Sequence, residues 1–256
     1  MQNKHFDINE EGYSIRCLAY FNKDLRQAKK VVIATYGFGG NKENHAVSTF
    51  ADRLISKYKS FAVVTFDWPC HGQDARKKLL LSECLEYLDL VIRYVKEEMG
   101  AEEIDNYSSS FGAFITLDYL AKKGNPFHRI GLRCPAIKMY EALTMHFTED
   151  DWSKLHKGKD ILQGFERKME ISNELLEEMQ ADDVTKQDYL NYADSILMIQ
   201  GTKDEMVPIE VTRQFSEDNV IELIEIEGAD HPFSNPNHMM PWTKGILGSP
   251  FCPLKT

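Results

Sequence analysis

The sequence predicts a doubly wound α/β sheet, and three observations carry the prediction. Short apolar runs recur at 31–36, 61–66 and 196–199, amphipathic helical stretches separate them, and each run ends at Gly, Asp or another turn residue. Uninterrupted runs of this length mark strands covered on both faces, as in a parallel sheet. Strand–helix alternation is how such a sheet is wound, with helices on both sides. The 256 residues are 43% hydrophobic and 27% charged, enough for one substantial core, so a single domain over 1–256 is expected.

Each element follows in order. Residues 13–20 partly alternate and read as a strand near a sheet edge. After the strand at 31–36, the stretch 46–58 places Val47, Phe50, Leu54 and Ile55 on one helical stripe. The strand at 61–66 leads to a second helix, 79–99, with Leu81, Leu85, Leu88, Ile92 and Val95 on its apolar face and Gly100 at its end. A weak strand at 103–107 runs into an apolar helix, 114–120, that stops near Gly124. Strands are expected at 129–134, 195–200 and 220–226, with a helix at 209–215.

The stretch 139–194 breaks the alternation. It is helix-prone, clearest at 171–180, and holds 14 Asp and Glu against 6 Lys and Arg. It also carries Tyr140, Phe147, Trp152, Phe165, Tyr189 and Tyr192. We read it as a helical cap inserted over the carboxyl end of the sheet, with Trp152 and Tyr189 as candidate substrate contacts; a long crossover with no ligand role is the alternative. The tail 239–256 lacks a clear final helix.

Composition excludes several classes. No apolar run is long enough for a bilayer span, and the N-terminal residues form no signal core, so no membrane partner is expected. Five scattered cysteines suggest a reducing compartment, hence a cytoplasmic protein without a disulfide framework. No CxxC or HExxH spacing offers a metal site. The net charge of −10 argues against nucleic acid, and the acidity of 139–194 is expected to disfavour anionic substrates.

The chemistry centres on Tyr107-Ser108-Ser109-Ser110-Phe111-Gly112-Ala113, where a strand turns sharply into a helix. Such a turn needs small residues two before and two after a nucleophile, because the backbone doubles back on itself. Ser110 has Ser108 and Gly112 there, whereas Ser109 has the bulky Tyr107 and Phe111. A serine-rich helix cap is the plain alternative. A serine nucleophile needs a base, and the base an orienting acid, following in the chain order Ser, Asp or Glu, His. Asp204, in Gly201-Thr202-Lys203-Asp204-Glu205, lies just past a buried strand and is preferred to Glu205 because it comes earlier in the turn. Of the two later histidines, His231 immediately follows a strand and His238 does not. The loop Tyr36-Gly37-Phe38-Gly39-Gly40-Asn41 leaves backbone N–H groups free, so Phe38 and Phe111 amides are the candidate oxyanion donors. No GK[ST] follows to make that loop a phosphate site.

Taken with Phe66-Asp67-Trp68-Pro69-Cys70-His71-Gly72, Arg133-Cys134-Pro135-Ala136 and Gly228-Ala229-Asp230-His231, these stretches resemble the serine α/β-hydrolases. The likeness is greatest to bacterial cinnamoyl and feruloyl-type esterases and to prolyl-oligopeptidase-like hydrolase domains. It spans about 31–233 and departs from the pattern at Tyr36, where His is usual, at Ser108-Ser109 before Ser110, and at Asp74. It implies an α/β-hydrolase fold, a Ser110–His231–Asp204 triad, no cofactor and a small acyl ester as substrate, an aromatic acyl group being one option. Its motif position gives His71 a structural role. A prolyl-oligopeptidase-like peptidase and a ligand-binding protein on the same fold are the rival readings; dehalogenase or epoxide-hydrolase chemistry would need Asp at position 110.

Overall fold

A computed structural model describes residues 1–74, 76–164, 167–235 and 238. The chain opens with β1 (Gln2–Glu10) and β2 (Tyr13–Phe21), an antiparallel hairpin turned by Glu11 and Gly12. Both turn residues have positive φ (51° and 82°), the backbone twist that suits a two-residue hairpin. Then come β3 (Lys30–Ala34), α1 (His45–Lys57), β4 (Phe61–Phe66), α2 (Leu81–Glu97), β5 (Glu103–Ser109), α3 (Phe111–Lys123) and β6 (Ile130–Arg133). The long segment follows as α4 (Met139–Thr144), α5 (Glu149–His156), β7 (Ile161–Gln163), β8 (Met169–Ile171) and α6 (Asn173–Ala181). The described chain closes with β9 (Ile196–Gly201), α7 (Ile209–Asn219) and β10 (Glu222–Ile226).

Among the described residues the main sheet has the order β1-β2-β4-β3-β5-β6-β9-β10. β1 and β2 are antiparallel to their neighbours, and β4, β3, β5, β6, β9 and β10 run parallel. The central strands are buried along their whole length, which explains their unbroken apolar runs. Right-handed crossovers put α1, which steps back from β3 to β4, on one face, and α2, α3 and α7 on the other.

The strand expected near a sheet edge at 13–20 is β2, one strand in from the edge: β1 covers it, and it is buried over its second half. β1 escapes sequence reading because Gln2–Glu10 is almost wholly exposed and polar, with Ile8 its one buried side chain. The segment 139–194 is not all helical, since β7 and β8 form a hairpin within it. That hairpin lies against the loop after β4: Glu170 N–H donates to Lys77 O at 2.9 Å, and Arg167 donates to Gly72 O and Arg76 O. From α6 onward the chain runs beside α2 and α3 toward the start of β9, and Glu178 accepts from the first N–H of α2 at 2.7 Å. Phe165 and the tail 239–256 lie outside the described residues.

Candidate active site

The turn between β5 and α3 is tight because its neighbours leave room for nothing else. A Cβ on Gly112 would sit 2.2 Å from Thr35 Oγ1 and 2.9 Å from Tyr36 O, so α3 can press against the end of β3 only with glycine there. A Cβ on Gly37 would lie 3.1 Å from the Ser110 Cβ, so the β3 loop runs directly beside this serine. Ser110 itself has φ 52° and ψ −117°, a conformation that side chains rarely adopt and that packing must hold in place. Its N–H donates to Arg133 O at 3.0 Å, and its carbonyl accepts from Ala113 and Phe114 at the start of α3. The hydroxyl makes no capping bond to α3, which leaves Oγ free for another partner.

That partner is His231, whose Nε2 lies 3.0 Å from Ser110 Oγ. The other ring nitrogen, Nδ1, lies 2.8 Å from Asp204 Oδ2. A carboxylate only accepts, so Nδ1 carries the proton and Nε2 presents a lone pair to the serine hydroxyl. Asp204 has a fully buried side chain that is nevertheless well satisfied: Oδ1 accepts from the Met206 and Val207 amides, and Oδ2 accepts also from Gln200 Nε2 at 2.7 Å. The β9–α7 turn thus aims the carboxylate at the ring. Glu205 is exposed. His238 lies instead near Gly228, where a Cβ would come within 3.9 Å of its ring.

Phe111 follows Ser110 directly, and Phe38 follows Gly37, the residue that lies beside Ser110. Neither amide donates to a protein acceptor among the described residues. Their rings fix them in one cluster with His71: His71 stacks on Phe111 (5.9 Å, 11°) and meets Phe38 edge-on (5.7 Å, 89°). His71 is buried and bonds Pro69 O through Nδ1, and burial pushes its pKa down to about 4, so the ring is neutral. It braces the loop, and no hydrogen bond joins it to Ser110 among the described residues. Tyr36, in the place where the related pattern has His, is buried; it donates to Asp67 and accepts from the Trp68 N–H. Asp67 also holds the buried Lys42 at 2.9 Å.

Of the two candidate contacts in 139–194, Tyr189 is corrected. It is fully buried, donates to Leu117 O on α3 at 3.2 Å, and packs on Phe215 of α7, so it has no surface to offer a substrate. Trp152 keeps partial exposure on α5, packed against Phe147 and His156. Sequence reasoning missed Gln200 and Arg133. Gln200 had a readable signal, a polar residue ending an apolar strand directly before the Asp204 turn. Arg133 is buried at the end of β6; it donates to Pro232 O and lies over the Phe233 ring.

No family model matches the sequence, and no curated protein matches it either. Solved structures do match. Est1E from Butyrivibrio proteoclasticus superposes with a TM-score of 0.76 at 18% identity, covering 94% of this chain and 95% of that one. A putative hydrolase from Agrobacterium vitis S4 gives 0.75 at 18% identity over 96% and 98%. A monoacylglycerol lipase from Paleococcus ferrophilus gives 0.67 at 17% identity over 91% and 97%. The chain therefore has the α/β-hydrolase fold. Among the described residues, no helix is long and apolar enough to cross a membrane.

Proposed function

We propose that this chain is a serine hydrolase that cleaves a small carboxylic ester through an acyl-enzyme on Ser110. One observation carries the reading: a serine at a strained strand–helix turn stands 3.0 Å from a histidine that is itself 2.8 Å from a buried, fully hydrogen-bonded aspartate. That constellation is recognised by geometry and roles. Ser110 Oγ attacks the ester carbonyl carbon while His231 Nε2 takes its proton. Asp204 keeps the ring oriented and stabilises the imidazolium. Charge developing on the carbonyl oxygen is met by the Phe38 and Phe111 amides and by the N-terminus of α3. His231 then returns the proton to the departing alcohol, and water, activated by the same nitrogen, releases the acid.

The segment from α4 to β8 acts as a cap in this reading, since its hairpin is fastened to the loop after β4 at the carboxyl end of the sheet. Trp152 on α5 is its candidate for sorting substrates, and Trp152→Ala should change the ranking among esters. The test of the function is hydrolysis of 4-nitrophenyl acetate beside the matching anilide. Wild-type protein should turn over the ester much faster than the amide, and Ser110→Ala should lower turnover by several orders of magnitude without lowering Tm. Equal turnover by the Ser110→Ala protein would overturn the reading.

A further inference from the structure

Beside the loop that carries Phe38, a cavity of about 270 Å³ opens between Gly39–Glu43, the Gly72–Gln73 turn and Arg167. Its walls begin one residue beyond Phe38 and one beyond His71. Both flanking loops follow strands β3 and β4 at the carboxyl end of the sheet, the end at which Ser110 lies. Arg167 reaches in from the turn of the β7–β8 hairpin. Its Nη1 donates to Gly72 O at 2.9 Å and its Nη2 to Arg76 O at 3.1 Å. These are carbonyls, so they position the guanidinium without neutralising it, and no carboxylate pairs with Arg167 among the described residues.

The other charges in the wall do not fill that role. Lys42 is buried and already paired with Asp67 at 2.9 Å, with Gln73 Oε1 at 3.2 Å as a second acceptor. Glu43 is more than half exposed and faces His5 at 4.0 Å, so it can turn to solvent. A half-buried, pre-positioned guanidinium with spare N–H donors on a polar cavity is the arrangement that takes a carboxylate by charge-assisted hydrogen bonds.

We infer that this cavity is a subsite for a carboxylate on the substrate, held by Arg167, so that the preferred ester is an anionic one. The inference rests on the ester-hydrolase reading above. It also reverses the expectation that the acidity of 139–194 repels anions. Many of those carboxylates, Glu149, Asp150, Glu174 and Glu177 among them, are exposed on α5 and α6. Salt screens exposed charges beyond about 8 Å at physiological ionic strength, whereas a half-buried contact charge is screened much less.

Three esters and one acid test the inference. Mono-4-nitrophenyl succinate carries the carboxylate on the acyl side, 4-acetoxybenzoate carries it on the alcohol side, and 4-nitrophenyl acetate carries none. The wild type should favour one of the anionic esters, and added salt should weaken that preference. Arg167→Gln should lower the ratio of kcat/KM for that ester to kcat/KM for the neutral one by about tenfold, chiefly through KM. Arg167→Lys, which keeps the charge and guards against a displaced hairpin, should lose less. Titration with succinate reads the subsite without turnover: it should bind the wild type and lose affinity in Arg167→Gln. Succinate binding without hydrolysis of any ester would remove the ester reading and keep the subsite. Hydrolysis of the neutral ester with no anionic preference and no Arg167-dependent succinate binding would overturn the inference.

Discussion

The Arg133 guanidinium donates to the Pro232 carbonyl at 3.2 Å, one residue past His231. The same residue accepts the Ser110 N–H through its own carbonyl at 3.0 Å. Arg133 therefore ties the turn bearing the serine to the loop bearing the histidine. Cys134 adds to the tie, its thiol lying 3.4 Å from His231 O. Phe233, the residue beyond Pro232, has φ 59° and packs under the Arg133 guanidinium at 5.4 Å. A bulky residue at positive φ needs such outside support.

Arg133→Lys keeps the charge but loses the planar fork and its cover over Phe233. A shift of about 1 Å in His231 is enough to cost on the order of a hundredfold in rate. We expect kcat to fall by about ten- to a hundredfold with KM changed by less than about threefold. Steady-state kinetics beside a thermal melt make the check. A lower Tm with kcat intact would show that Arg133 supports the fold alone.

Ser108 and Ser110, two residues apart, have opposite environments. Ser108 Oγ is fully buried among Thr35 Oγ1, Asn106 Oδ1 and Thr116 Oγ1, at 2.8, 2.8 and 2.9 Å. Ser108→Ala strips a buried network of its centre and should destabilise by about 1–3 kcal/mol. Calorimetry should register that loss while much of the ester turnover survives. An unchanged melting temperature would contradict the network's structural role.

The contrast shows what the sequence made legible. Steric reasoning about the flanking positions selected Ser110 from three serines, and strand ends located Asp204 and His231, because both arguments depend only on near neighbours in the chain. The buried strands were legible for the same reason: the expected 61–66 is β4 (Phe61–Phe66). β1 was not, because its single buried side chain leaves no alternation to read. Tyr189 was misjudged because an aromatic facing α3 and α7 and one facing a substrate look alike in sequence. Arg133 and Arg167 act through carbonyls 99 and 95 residues away, and no local pattern encodes such pairings.

A buried carboxylate on α3 links stability to pH. Burial first, and the nearby Asp182 second, raise the Asp118 carboxyl from 3.8 to about 6, against the opposing pull of Lys122 at 3.1 Å. Between those values the folded state holds a proton that the unfolded chain has released. Asp118 thus contributes most below about pH 4, and that contribution is lost as pH rises through about 6. Asp118→Asn cannot titrate, so relative to the wild type it should gain on the order of 1–3 kcal/mol between acid and neutral pH. Denaturant melts of both proteins near pH 4.5 and pH 8 measure it. A difference between the two proteins that stays constant with pH would refute the linkage.

Covalent trapping tests the central claim most directly. A fluorophosphonate reacts with a serine made nucleophilic by a neighbouring base, and peptide mapping by mass spectrometry then locates the adduct. The account predicts one adduct per chain, on Ser110, formed slowly or not at all in His231→Ala and Asp204→Asn. An adduct on Ser108 or Ser109 with Ser110 unmodified, or labelling of Ser110 at the wild-type rate without His231, would contradict it.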